Sequence, residues 1–208
     1  MTAADILGQP VAVPAGVAAE VWRGLCARVL ILPGGCHVWT GPPRNDGYAQ
    51  VWVPAGALAA YGEEPGRPWR GHRFAYAALT GAVLGEEDHV LHQCDQPMCV
   101  CVLAEELPRH HKLGTNAANV REREQRGRGT RRGKYGLPIP SRSDRRGQYA
   151  RSLALHNALV DALGIDADGR PTADVTRAEV AARVAEVEAA GRYDAAWPVL
   201  PIFEEPAP

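Results

Sequence analysis

The stretch 92–99, His-Gln-Cys-Asp-Gln-Pro-Met-Cys, constrains this chain more than any other. Cys94 and Cys99 stand five apart and His110 follows downstream; thiolate and imidazole are the ligands a tetrahedral Zn²⁺ prefers. A structural zinc takes four such ligands, so the fold must bring the fourth from a distant part of the chain. Cys36, at the head of an expected strand, is the candidate. Cys101 competes with Cys99 for the place beside Cys94, while Cys26 sits in an expected helix and reads as core. Free cysteines are often no more than small buried apolar residues. The gathering of Cys and His in one short stretch speaks for metal instead.

The rest of the composition explains why a staple is needed. Among 208 residues there are 22 Gly and 17 Pro, so much of the backbone is expected in turns and irregular loops. Five cysteines, an odd number, behind an N-terminus (MTAADILGQP) without an export signal, argue against a disulfide framework. No apolar run approaches the roughly 20 residues that span a bilayer, so a cytoplasmic protein without membrane attachment is expected. The net charge of −1 hides a polarity. Residues 121–151 hold 11 Arg or Lys and three acids, a net of +8, which leaves −9 for the remainder. A segment that basic, rich in Arg and Gly, marks a surface that meets polyanions, nucleic acid being the commonest; the plain alternative is a solvated linker.

Hydrophobic spacing and turn residues predict an α+β protein: a small β-hairpin and helix core, followed by C-terminal helices. A helix is expected over 17–30, where Val21, Trp22, Leu25, Val29 and Leu30 fall at helical spacing. Strands at 36–40 and 48–53 are expected to pair as a hairpin around GPPRNDG. A helix over 71–80 stops at Gly81, a short strand covers 88–92, and Thr115 caps a helix over 116–126. Two more helices are expected at 148–163 and 176–190, the second with Thr176 and Glu179 as a capping box. The chain thus divides into an N-terminal extension (1–16), a core domain (17–128), a basic linker (129–147) and a helical C-terminal appendage (148–208) for dimerisation or target recognition. The appendage ends in the proline-rich WPVLPIFEEPAP.

One ordered series of residues carries a family likeness. It runs Cys36-His37-Val38-Trp39-Thr40-Gly41, Gly47-Tyr48, Gly71-His72-Arg73, His92-x-Cys94-Asp95-x-Pro97-x-Cys99-Val100, Pro108-x-His110, Leu113-Gly114-Thr115 and Asn119. Over about residues 20 to 128 it resembles the HNH endonucleases of the His-Me finger (ββα-metal) superfamily. The similarity is to their zinc-containing branch, near the His-Cys box homing endonucleases. The resemblance implies that His92 is the general base, that Cys36, Cys94, Cys99 and His110 hold a structural Zn²⁺, and that Asn119 binds the catalytic divalent ion, Mg²⁺. It also implies double-stranded DNA as substrate and products with 5′-phosphate and 3′-hydroxyl ends. Two departures stand out: residues 101–107 occupy the place of a single residue, usually Asn, and His111 replaces the usual Leu.

The chemistry of the side chains agrees with those roles. An imidazole with an ordinary pKa of ~6.5 is largely neutral at pH 7 and takes a proton from water. An amide oxygen suits a hard cation. Arg73 is the candidate phosphate clamp, because a guanidinium binds phosphate oxygens two at a time and the family places an Arg after its His there. Arg121, Arg123, Arg126, Arg128, Arg131, Arg132 and Lys134 would track the DNA backbone, adding salt-sensitive affinity and little sequence information. The expected activity is therefore metal-dependent hydrolysis of DNA phosphodiesters, with two sites in a homodimer required to cut both strands together. Its rivals are a zinc-bearing DNA-binding protein without catalysis and a toxin-like nuclease without sequence preference.

Overall fold

Short antiparallel ladders, each of only two strands, are wrapped by helices and held on one hydrophobic core. The computed structural model describes residues 11–32, 34–125, 145–164, 172–173 and 175–190. In chain order the elements are α1 (Ala19–Cys26), β1 (Val29–Ile31), β2 (His37–Trp39), β3 (Gln50–Val53), a one-turn 3₁₀ helix (Ala59–Tyr61) and β4 (Arg67–Arg70). There follow α2 (Gly71–Thr80), β5 (His89–His92), α3 (Leu107–His110), β6 (His111–Gly114), α4 (Asn116–Gln125), α5 (Arg145–Leu163) and α6 (Arg177–Ala190). No helix among the described residues is long and apolar enough to cross a membrane.

The strand pairing departs from the expected hairpin. β2 pairs backward with β1, Leu30 opposite Val38, and β3 pairs forward with β4, Val51 opposite Trp69. Between β2 and β3 only the bridge Pro43 to Ala49 remains. The expected first helix ends early for the same reason: Val29 and Leu30 leave α1 and become β1, where both are buried against the core. Three residues are too few for a twofold pattern to outweigh helical spacing in the sequence. The free edge of β2 is taken by residues 98–100, with Trp39 N–H donating to Met98 O at 2.9 Å and Val100 N–H donating to His37 O at 2.6 Å.

The third ladder positions the site. β5 pairs with β6, His92 opposite His111, and α4 packs back on β5 to complete a ββα unit. Thr115 caps α4, its Oγ1 accepting from Ala118 N–H at 3.2 Å, and a Lys112–Glu122 ion pair of 2.6 Å ties the helix to β6. α2 ends at Gly81, whose φ of +69° is the left-handed turn that stops a helix most cheaply at glycine.

Helices α5 and α6 pack on each other and on the same core, through Leu155, Leu159, Leu163, Val180 and Val184. The capping box forms: Glu179 N–H donates to Thr176 Oγ1 at 3.3 Å, and Thr176 N–H donates to Glu179 Oε2 at 2.7 Å. α5 also reaches three loops of the preceding core. Gln148 Nε2 donates to Asp46 O at 2.7 Å, Arg151 Nη1 to Asp95 O at 3.2 Å, and His156 Nδ1 lies 2.9 Å from Thr40 O. Most of the basic linker (129–144), the tail 191–208 and residues 1–10 of the N-terminal extension lie outside the described residues.

Candidate metal centre

Cys36, Cys94, Cys99 and His110 converge, each offering one donor atom, all within 4.8 Å of one another. Four different pieces of structure deliver them. Cys36 leads into β2 after a turn in which Gly35 N–H donates to Leu32 O at 2.8 Å. Cys94 follows β5, and Asp95 behind it adopts φ +58°, a left-handed residue that bends the chain so that Cys99 returns. Cys99 lies on the segment docked along β2, bridged to Val38. His110 ends α3 and brings Nδ1 to 3.7 Å from Cys99 Sγ. A zinc ion with bonds of about 2.0–2.3 Å spaces tetrahedral donors roughly 3.4–3.8 Å apart, so this Cys3His group is compatible with structural zinc.

The electrostatics of the three thiols point the same way. Cys94 is held far below its ordinary thiol pKa by S–H donation from Cys36 and then Cys99. That same sharing, with Cys94 as the charged member, pushes Cys36 up to about 12 and Cys99 well above its ordinary value. Zinc binds cysteine as thiolate, so three sulfurs close enough to shift one another's titration form a group that a divalent cation would fit. Cys101 stands apart, buried with its S–H on Leu103 O at 3.3 Å and its pKa raised to about 12 by desolvation. Cys26 is likewise raised to about 12 by burial. Residues 101–107 loop out after Cys99 and return through α3, so His110 reaches the three cysteines.

Beside this group lies a second constellation made of rings. The His72 and His92 centroids are 4.4 Å apart, and those of His92 and His111 are 4.6 Å apart, edge to face. Tyr48 closes the cluster at 5.1 Å from His72 and 5.6 Å from His92. His72 and His111 are buried, and His72 Nδ1 and both nitrogens of His111 make no well-formed hydrogen bond among the described residues, although the Cys99 backbone lies close enough to act on the His111 ring. Desolvation lowers the pKa of all three histidines, with the neighbouring imidazoles lowering His72 and His111 further. His92 is only partly buried and its Nε2 lies 3.1 Å from Cys99 O. A carbonyl can only accept, so Nε2 carries the hydrogen and Nδ1 is the basic nitrogen.

The remaining sequence candidates fall in different places. Arg73 is turned to the 85–88 turn, donating from Nη1 to Asp88 O and from Nη2 to Gly85 O at 3.1 Å. Asn119 is exposed in the first turns of α4, its N–H bonded to Thr115 O at 2.9 Å. Arg121 is exposed on the same helix and Arg123 falls within it. Arg126, Arg128, Arg131, Arg132 and Lys134 lie outside the described residues. Sequence reasoning missed Arg70, whose charge reaches both His72 and His92 and whose guanidinium carbon is 5.0 Å from the Tyr48 ring centre. The one available signal was its place two residues before His72.

Comparison with known proteins gives one partial likeness. Protein 2.8 of Escherichia phage T7 is 28% identical to this chain over 109 residues, covering 52% of this chain and 63% of that protein. The chain therefore spans less than two thirds of the relative's length. No protein-family model and no solved structure matches.

Proposed function

We propose that this protein is a metal-dependent DNA endonuclease of the HNH type, with Zn²⁺ as a structural staple and His92 as the general base. The observation that supports it best is the state of His92. Its ring is fixed by the Cys99 carbonyl and seated on a ββα unit, two residues before a cysteine of the Cys3His group. In this reading Nδ1 removes a proton from water as the water oxygen bonds to phosphorus. The P–O3′ bond breaks, and the leaving oxygen is protonated from solvent. A divalent ion, Mg²⁺ on the amide oxygen of Asn119, would supply Lewis acidity at the scissile phosphate. Tyr48, His72 and His111 hem His92 in and limit its rotation. The double-stranded substrate would lie across the exposed face of α4 that carries Arg121.

The deciding experiment is conversion of supercoiled plasmid in Mg²⁺ by the zinc-loaded wild type and by His92→Ala of equal zinc content. Nicking or linearisation by the wild type, reduced roughly 10²–10⁴-fold in the variant, is expected. Equal cleavage by both would remove His92 from the chemistry. A second reading, a zinc-bearing DNA-binding protein without catalysis, is favoured by the crowding of His92 between two other imidazoles. It predicts duplex binding that survives His92→Ala and no cleavage with any divalent metal. Sequencing of product ends separates a site-specific enzyme from a toxin-like nuclease, whose ends would be random.

A further inference from the structure

We propose that Arg44 and Arg70 form a fork for a tetrahedral phosphate oxyanion at the edge of the His92 cluster, held ready by the recessed carboxylate of Asp46. The inference rests on the nuclease reading, which makes a phosphodiester of the DNA backbone its ligand.

The fork is built by a tight turn. Gly47 N–H donates to Arg44 O at 2.8 Å and Arg44 N–H to Tyr48 O at 2.9 Å, with Gly47 at φ +81°. Asp46 Oδ1 accepts from Tyr48 N–H at 3.3 Å, which points the carboxylate back over the turn. From there Asp46 meets both cations: Arg70 Nη2 at 3.0 Å and Arg44 Nε at 3.6 Å. The Asp46 side chain is 14% exposed, while those of Arg44 and Arg70 are 34% and 42% exposed. The acid is recessed and the two guanidiniums stand outside it.

One carboxylate does not exhaust two guanidiniums. Each carries five N–H donors in a planar fork suited to phosphate, and Asp46 engages a single nitrogen of each. Arg44 and Arg70 keep a third or more of their side chains in solvent, where an ion pair adds little to stability, so holding the fold is a poor reason for the arrangement. Its position is the better one. Arg70 stacks over Tyr48, and Tyr48 touches the rings of His72 and His92, so the fork lies one aromatic ring from the proposed base. The turn is braced from outside by Gln148 of α5, bonded to Asp46 O. Arg73, by contrast, is committed to the carbonyls of Gly85 and Asp88.

The test uses the full zinc-loaded chain in the His92→Ala background, with a short DNA duplex titrated over a range of salt. Arg70→Ala is expected to weaken binding about 5–10-fold at low salt and to reduce the slope of log K against log salt by about 1. Arg70→Lys should restore the slope but not the cleavage rate when placed in the His92 wild type, because a point charge replaces a fork. Asp46→Asn, which removes a competing anion, should tighten binding. Unchanged affinity and slope in both Arg44→Ala and Arg70→Ala, at wild-type zinc content and melting temperature, would overturn the proposal. A second arm follows the Arg70 Nε–H resonance during titration with inorganic phosphate. A saturating shift without any duplex binding would keep the fork and discard the nucleic-acid reading. No shift and no duplex binding would discard both.

Discussion

His110 and His111 are neighbours in sequence and belong to different worlds. The imidazole of His110 joins three cysteine sulfurs, a group whose donor atoms face one another and can all be satisfied by one ion. The imidazole of His111 turns to His72 and His92, where it is 1% exposed and neither nitrogen makes a well-formed hydrogen bond among the described residues. The first arrangement gathers polar groups from two ladders, the segment docked on β2 and a helix. The second leaves polar groups unsatisfied beside a partly exposed imidazole, at a cost of about 1–3 kcal/mol for each buried group left unpaired. If a metal closes the Cys3His group, a small, loop-rich core held on that side tolerates such a cost on the other.

The largest effect should come from breaking the staple. Where metal ligation closes a small core, binding energy is folding energy, on the order of 10 kcal/mol in isolated zinc modules. Chelation, or Cys99→Ser, is therefore expected to abolish zinc retention and the near-UV signal of Trp22, Trp39 and Trp69, all packed in the core. Cys101→Ser keeps an O–H that can reach Leu103 O, and should retain one zinc per chain. Elemental analysis with circular dichroism reads both. Zinc lost from Cys101→Ser and kept by Cys99→Ser would exchange the two residues' roles.

An intermediate effect distinguishes the histidine side by its response to acid. The pKa of His72 is well below its ordinary value, first from burial and then from His92, His111, Arg70 and Arg73. In the unfolded chain the same imidazole takes up a proton as pH falls through about 6.5. The unfolded state then binds more protons, so stability is full above that pH and is lost below it, by up to about 1.4 kcal/mol per pH unit for each such histidine. Denaturant unfolding between about pH 7.5 and about pH 5.5, in saturating zinc, should show a shallower loss for His72→Phe than for the wild type. Equal slopes would mean that His72 titrates in the native state as it does in the unfolded chain.

How much of this was legible beforehand follows the range of the interactions. The Cys3His group could be read because its members recur at short spacings, and because Cys36 opens a motif of its own. Caps and stops such as Thr115, Thr176 and Gly81 were legible because each acts within one helical turn. Strand partners were not. The pattern of β2 and β3 marks both as strands, but pairing with β1 and β4 depends on where α1 ends and on residues 98–100 filling the other edge of β2. Arg70 was invisible for the same reason: its meaning lies in Asp46 and Tyr48, which the 44–48 turn brings beneath it. The family likeness directed attention to Arg73, whose side chain bonds to the 85–88 turn.

The smallest effect is the sharpest test of the contrast. If His111 is unsatisfied in the native state, replacing it by the leucine usual in the resembling family removes two buried polar nitrogens and returns an apolar side chain of similar size. Removal of a polar group that has no partner is neutral or stabilising, unlike removal of one half of a hydrogen bond. His111→Leu should therefore unfold at the same denaturant midpoint or a higher one, with a gain of up to about 1 kcal/mol, and should keep its zinc through the unchanged His110. A loss of more than about 2 kcal/mol would show that the imidazole is engaged after all. Plasmid cleavage by the same variant then assigns the cost: an unimpaired rate makes His111 a passive wall of the cluster. A rate that falls while stability rises shows that the unsatisfied ring is kept for what it does to His92, 4.6 Å away.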